Sequence, residues 1–126
     1  MSTGAHAWRN RGPVNRRGEQ GEALAADFLR RKGLTITARN YSCRFGEIDL
    51  IARDGNVIVF IEVRSRAGDA FGGAAASITA SKREKLLKTA CHYLATLRPT
   101  PPCRFDAVLL TGKPPRIEWL RNAIEA

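Results

Sequence analysis

The chain has 126 residues and carries 21 Lys and Arg against 12 Asp and Glu, a formal charge of +9. That length leaves room for one domain with a single core, and the mixed composition is that of a soluble globular protein. The excess of positive charge points to a polyanion partner, most often nucleic acid, although it also serves solubility.

Cys43, Cys91 and Cys103 are an odd set without C-x-x-C spacing, and only His6 and His92 accompany them. This argues against a disulfide framework or a zinc site, and the thiols are expected to be reduced packing residues in a cytoplasmic protein. The opening residues lack an apolar h-region and no apolar run is long enough to cross a bilayer, so neither export nor membrane insertion is expected.

Residues 1–15 mix Gly, Pro, Asn and Arg without periodicity and read as a flexible basic arm ahead of a single domain over residues 16–126. A helical pattern from Gly18 to Lys32 stops at Gly33, a suitable C′ residue. LTITARNYS, rich in β-branched residues, reads as a strand. Two more strands flank Asp54-Gly55-Asn56, a hairpin turn cluster. Ala67 to Ser77 has neither period nor bulk and reads as a loop. Ser81 and Glu84 fit a capping box for a second helix running to about Leu97, whose apolar face is Leu86, Leu87, Ala90, Tyr93, Leu94 and Leu97. CRFDAVLL is another strand and RIEWLRN, after Pro114-Pro115, the last. The sum is an α/β domain, a central mixed sheet with helices on either side.

The hairpin register follows from the hydrophobic pattern. With Gly55-Asn56 as the two-residue turn, Asp54 faces Val57, Ala52 faces Val59, Leu50 faces Ile61 and Ile48 faces Val63, an almost wholly apolar face. The other face pairs Arg53 with Ile58, Ile51 with Phe60, Asp49 with Glu62 and Glu47 with Arg64. Asp49 and Glu62 are then directly opposed, with Cβ atoms roughly 4.5–5.5 Å apart. An Asp-Gly turn makes them diagonal neighbours at roughly 7–8 Å on the same face.

Two carboxylates so placed repel, and three routes relieve them: one stays protonated, a cation such as Arg64 or Arg53 pairs with them, or they bind a metal. Mg²⁺ prefers oxygen ligands and commonly takes one or two carboxylates, keeping water and phosphate oxygens in the rest of its shell. In a basic protein this outlines a phosphodiester hydrolysis site. Glu22 sits on the helix stripe of Ala25, Ala26 and Leu29 and is a candidate third carboxylate. The other explanation of Glu22 is that acids near a helix start are favoured by the helix dipole. Lys82, Arg83, Lys85 and Lys88 at the start of the second helix suit either a phosphate backbone or a solvated face, and Arg66 and Lys82 bracket the Gly-rich loop.

GEQGEALAADFLRRKG, ARNYSCRFGEIDLIARDG, VFIEVRSR, FGGAAASITASKREKLLKTA and CRFD, in that order, resemble the YraN-like family of small bacterial proteins. That family is similar to archaeal Holliday-junction resolvases and is placed in the restriction-endonuclease-like superfamily. The resemblance spans about Gly18 to Trp119. It implies a restriction-endonuclease-like fold and a divalent metal, Mg²⁺ or Mn²⁺, held by Asp49 and Glu62 with Glu22 completing the site. It also implies a DNA substrate, branched DNA included, and symmetric cutting of a junction calls for a homodimer. The superfamily lysine falls on Arg64, whose guanidinium stays protonated and can orient water or hold the scissile phosphate but cannot be a general base. Arg104 and Asp106 match a recurrent family feature and are expected to form an internal ion pair. Trp119 is expected in the core or an interface, and Trp8 is a candidate for stacking on bases. The expected activity is a metal-dependent DNA endonuclease. The alternatives are a DNA-binding module that has lost turnover at Arg64, and a protein-interaction scaffold.

Overall fold

The computed structural model describes residues 16–66 and 80–123, with the backbone alone for residues 16–19 and Arg66. The expected basic arm, Trp8 and the loop from Ala67 to Ser77 lie outside the described residues, as does the side chain of Arg66. The elements in chain order are α1 (Arg16–Arg31), β1 (Thr35–Cys43), β2 (Gly46–Asp54), β3 (Val57–Arg66), α2 (Ala80–Leu94), β4 (Cys103–Thr111) and β5 (Arg116–Leu120).

The strands form one mixed sheet in the order β1-β2-β3-β4-β5. Only β3 and β4 are parallel, which requires the long crossover that contains α2. Among the described residues each face carries one helix, which makes a three-layer α/β arrangement of the restriction-endonuclease-like type. Ala25, Ala26 and Leu29 of α1 pack on Leu50, Ala52, Val59, Ile61, Val108 and Leu110. Leu86 and Ala90 of α2 pack on Ile48, Ile51, Ile58, Phe60 and Phe105. Ile58, Val59, Phe60 and Ile61 are all buried, as a central strand covered on both faces must be.

Local chemistry sets the element ends. At the end of α1 the Leu34 amide donates to the Leu29 carbonyl and the Gly33 amide to Arg30, both at 3.0 Å. Gly33, at φ +100°, is the left-handed C′ residue of this Schellman motif, and Leu34 joins the cluster that contains Leu29. The hairpin turn has Gly55 at φ +65° in its first central position, as a type II′ turn requires. Its register pairs Asp54 with Val57, Ala52 with Val59 and Leu50 with Ile61, in agreement with the hydrophobic pattern.

Four local expectations are corrected. Ile48 packs on the α2 side rather than with Leu50, because the β2–β3 ladder ends at Leu50–Ile61 and strict alternation ends with it. Helix α2 begins at Ala80, so Ser81 lies inside its first turn, and Glu84 reaches Lys88 at 3.6 Å instead of closing a capping box. It also ends at Leu94, with Thr96 Oγ1 donating to the Tyr93 carbonyl at 2.7 Å in the turn beyond. The cysteines are free thiols, but Cys91 and Cys103 are exposed rather than packed.

Asp106, fully buried on β4, organises the end of the sheet that carries the β2–β3 hairpin turn. It accepts from Arg104 Nε at 3.1 and 3.2 Å, from Trp119 Nε1 at 2.9 Å and from the Asn122 amide at 3.0 Å. Arg104 also reaches Asp54 at 3.1 Å, so the expected internal ion pair extends to the hairpin turn. Trp119 is partly buried, packing against the α1 cluster and meeting Phe28 edge-on at 6.4 Å, at the margin of the core. Replacing Asp106 by Ala strands a guanidinium and two N–H donors. The variant is expected to lose about 3–5 kcal/mol in urea denaturation, and a loss below 1 kcal/mol would show the network to be dispensable.

Candidate active site

The cleft is built where the sheet opens. In the β1–β2 ladder Arg39 pairs with Leu50 and Tyr41 with Ile48, while the β2–β3 ladder stops at Leu50–Ile61, so neither includes Asp49. On the β1 side Asn40 adopts φ +54°, a left-handed conformation unusual within a strand. On the β3 side Asp49 Oδ2 accepts the Val63 amide at 2.8 Å, so a side chain satisfies a donor that the ladder has released. β3 meanwhile keeps its β4 neighbour from Glu62–Ala107 to Arg66–Thr111.

Into this gap open Gly21 and Glu22 of α1, Glu62, Arg64 and Ser65 of β3, and Lys82 and Lys85 of α2, around a cleft of about 300 Å³. Glu22 reaches it because the stripe that buries Ala25, Ala26 and Leu29 carries one turn further toward the start of α1. Gly46 forms its floor beside α2. At φ +148° it holds a backbone conformation essentially reserved for glycine, and an added Cβ would lie 3.3 Å from Thr89 Oγ1.

Asp49 lines the same cleft as Glu22 and Glu62, close enough to act on both carboxyls. Burial, reinforced by the Asp49 charge, pushes Glu22 up to about 7, against the lowering influence of Asn40 and Arg39. Burial and the bond and charge of Asp49 push Glu62 up to about 8, and Arg64 and Lys82 oppose this. Arg64 Nη2 lies 3.5 Å from Glu62 Oε2. Two of the three routes for relieving acid repulsion are therefore present together, a retained proton and a nearby cation. Arg53, exposed near the hairpin turn and opposite Ile58, takes no part.

Polar atoms in the cleft are left over. Glu22 Oε1, Arg64 Nε and Arg64 Nη2 are buried without a hydrogen-bond partner among the described residues. Buried polar atoms are ordinarily paired, so a cluster of orphans marks a place where a ligand completes the set. Three carboxylates with an orphaned oxygen suit a hard divalent cation. Among the described residues no three His, Cys, Asp or Glu side chains already converge as a cage. The arrangement therefore fits an ion held by carboxylates and water better than one enclosed by protein.

Of the residues proposed from sequence for nucleic acid, Lys82 and Lys85 line the cleft. Arg83 is exposed outside it, and Lys88 lies further along α2 in the exposed pair with Glu84. Asn40 was not singled out by sequence reading, which saw only a strand; an Asn in the left-handed region is the sort of signal that appears once backbone angles are known.

These acids make stability depend on pH. Both glutamates sit above their ordinary value of 4.5, so between that pH and about 7–8 the folded chain binds more protons than the unfolded one. The stability linked to these protons is fully present below about pH 4.5 and is lost as pH rises through 7–8. In thermal melts with chelator, Glu62→Gln is expected to match the parent near pH 5 and to melt several degrees higher at pH 8.5. A constant difference across that range would contradict the assignment. Gly46→Ala is expected to cost about 1–3 kcal/mol at any pH, measured by denaturant unfolding.

Comparison with known proteins places the chain. A family model described as the uncharacterised protein family UPF0102 matches residues 21–110. A UPF0102 protein of Nitrosomonas europaea is 54% identical over 110 residues, 86% of this chain and 93% of its own length. A UPF0102 protein of Nitrosospira multiformis is also 54% identical over 110 residues, covering 86% and 92%. One from Cupriavidus taiwanensis is 54% identical over 112 residues, covering 87% and 83%. The match takes in Glu22, Asp49, Glu62, Arg64 and the cleft lysines, and the chain belongs to the UPF0102 family, the YraN-like family that its motifs resemble.

Proposed function

We propose that this protein is a cytoplasmic, metal-dependent DNA endonuclease that hydrolyses phosphodiester bonds, branched DNA among its substrates. The observation that carries the reading is the convergence of Glu22, Asp49 and Glu62 in one cleft whose other walls are Arg64, Lys82 and Lys85. Asp49 and Glu62 would hold Mg²⁺ or Mn²⁺, with Glu22 as the third carboxylate. Bound there, such an ion would supply positive charge beside the phosphate and lower the pKa of water toward neutral.

The protein's own residues divide the remaining work. Asp49 is fixed by the Val63 amide, which holds its carboxylate still. Arg64 Nε and Nη2 make no hydrogen bond among the described residues, Nη2 having only its long ion pair with Glu62. Both are therefore donors for a non-bridging phosphate oxygen, and the permanent charge of a guanidinium suits it to stabilise an anionic transition state. Lys82 and Lys85 lead the strand's phosphates to the acids, with Arg83 and Lys88 extending the basic surface. Symmetric cutting of a junction would bring two copies together.

One observation favours a second reading. Arg64, at the superfamily lysine position, is engaged with Glu62 at 3.5 Å and cannot shed a proton to activate water. A DNA-binding module without turnover would tolerate that arrangement.

A labelled panel of duplex, single-stranded, flap and four-way-junction DNA, incubated with Mg²⁺, Mn²⁺ or chelator, tests the two. The nuclease is expected to give products with metal only, to lose about 100-fold or more of its rate in Asp49→Asn and Glu62→Gln, and to retain activity in Arg64→Lys. Salt-sensitive binding without products in either metal would establish the binding module. Independently of activity, Mg²⁺ is expected to raise the melting temperature at pH 8 in the parent but not in Asp49→Asn.

A further inference from the structure

Beside the acid cleft lies a second depression, of about 430 Å³, lined by Phe45, Leu87, Lys88, Cys91 and His92. The two adjoin at the β1–β2 turn, where Gly46 faces the cleft and Phe45 the groove. The groove's walls are almost entirely apolar, and Phe45 belongs to neither core cluster. A partly buried aromatic ring at a tight turn thus packs outside both cores, against the groove.

Its surroundings are organised. The Arg44 guanidinium lies 5.0 Å from the Phe45 ring centroid. His92 meets the same ring at 6.2 Å and 69°. The Tyr41 hydroxyl holds His92 Nδ1 at 2.6 Å, which fixes the imidazole and leaves Nε2 as its remaining polar atom. The rim is basic, with Arg44 and Lys88, and the Lys88–Glu84 pair is exposed on both sides and of the weak, screened sort that a phosphate can displace. Along α2, Lys82 and Lys85 line the cleft and Lys88 the groove, in three-residue steps of about 4.5 Å rise each.

We propose that this groove seats an unpaired nucleobase of single-stranded DNA, whose phosphates follow Lys88, Lys85 and Lys82 into the acid cleft. The inference rests on the nucleic-acid reading above and adds a substrate class to it. An aromatic face with a neighbouring guanidinium is the sequence-tolerant way to hold a base, and His92 Nε2 gives one hydrogen bond to its edge. A paired base inside a duplex is already stacked on both faces and cannot enter, so the groove selects strands with unpaired positions next to the cleft.

The test is fluorescence anisotropy in chelator, with the full chain carrying Asp49→Asn, on labelled oligothymidylate and on a blunt duplex. Phe45→Ala is expected to weaken single-strand binding about 5- to 100-fold while changing duplex binding less than about twofold. Phe45→Trp is expected to keep the affinity and to show tryptophan quenching on binding, which guards against a folding defect in the alanine variant. Equal losses on both substrates, or no loss on the single strand, would overturn the groove. So would a concentration-dependent dimer that Phe45→Ala abolishes without altering DNA binding. Cleavage by the chain with Asp49 intact is scored separately. No products with Phe45-dependent binding would remove the nuclease and keep the groove, whereas products with Phe45-independent binding would do the reverse.

Discussion

The hydrogen bond from the Val63 amide to Asp49 Oδ2 is the contact on which the site depends. A sheet that zipped fully would give that amide to a backbone carbonyl and press Asp49 against Glu62 as an unrelieved like-charge pair. Because the carboxylate takes the amide, β2 can leave β3 at Leu50–Ile61 without orphaning a buried donor. The gap so made admits Glu22 from one helix and Lys82 and Lys85 from the other, on a sheet whose two faces otherwise never meet. One side chain thus ends a ladder, opens a cleft and supplies its central acid.

Such a cluster works against folding. Desolvation is the largest cause of the upward shifts of both Glu22 and Glu62, so the folded state would be easier to form with neutral groups there. What offsets this is a sheet buried on both faces through Ile58, Val59, Phe60 and Ile61, and the fully bonded Asp106 at the far end. The two buried acidic regions have opposite characters. Asp106 has its donors in place, as a structural acid should, with a single Arg104 Nη2 left over in its network. The cleft instead gathers an oxygen of Glu22 and two nitrogens of Arg64 that make no hydrogen bond among the described residues.

Much of this was legible in the sequence because short-range rules governed it. The hairpin register followed from Asp54-Gly55-Asn56 and from apolar alternation, and it brought Asp49 and Glu62 together before any coordinates did. Glu22 was legible because it interrupts an apolar helix stripe. Where the rules stopped, tertiary context had taken over. Asn40 has a left-handed backbone in mid-strand beside Glu22, which arrives from a different element, and Ile48 changes face because the ladder ends beneath it. The Ser81 cap failed on a shorter scale, since Ala80 is already helical and Lys88 competes for Glu84 one turn on. Exposure of Cys91 and Cys103 could not be read from residue type, which records only where cysteine usually sits.

The Asp106 network also says where this chain can be cut or joined. The last strand ends at Leu120, yet the Asn122 amide is one of the donors to Asp106 and the Ala123 amide bonds the Phe105 carbonyl at 2.8 Å. The three residues after β5 are therefore a backbone clasp on β4 rather than a trailing end. A shortened or fused version whose boundary falls at the strand's own end would leave a buried carboxylate short of a donor. A boundary set beyond Ala123 would leave the clasp whole.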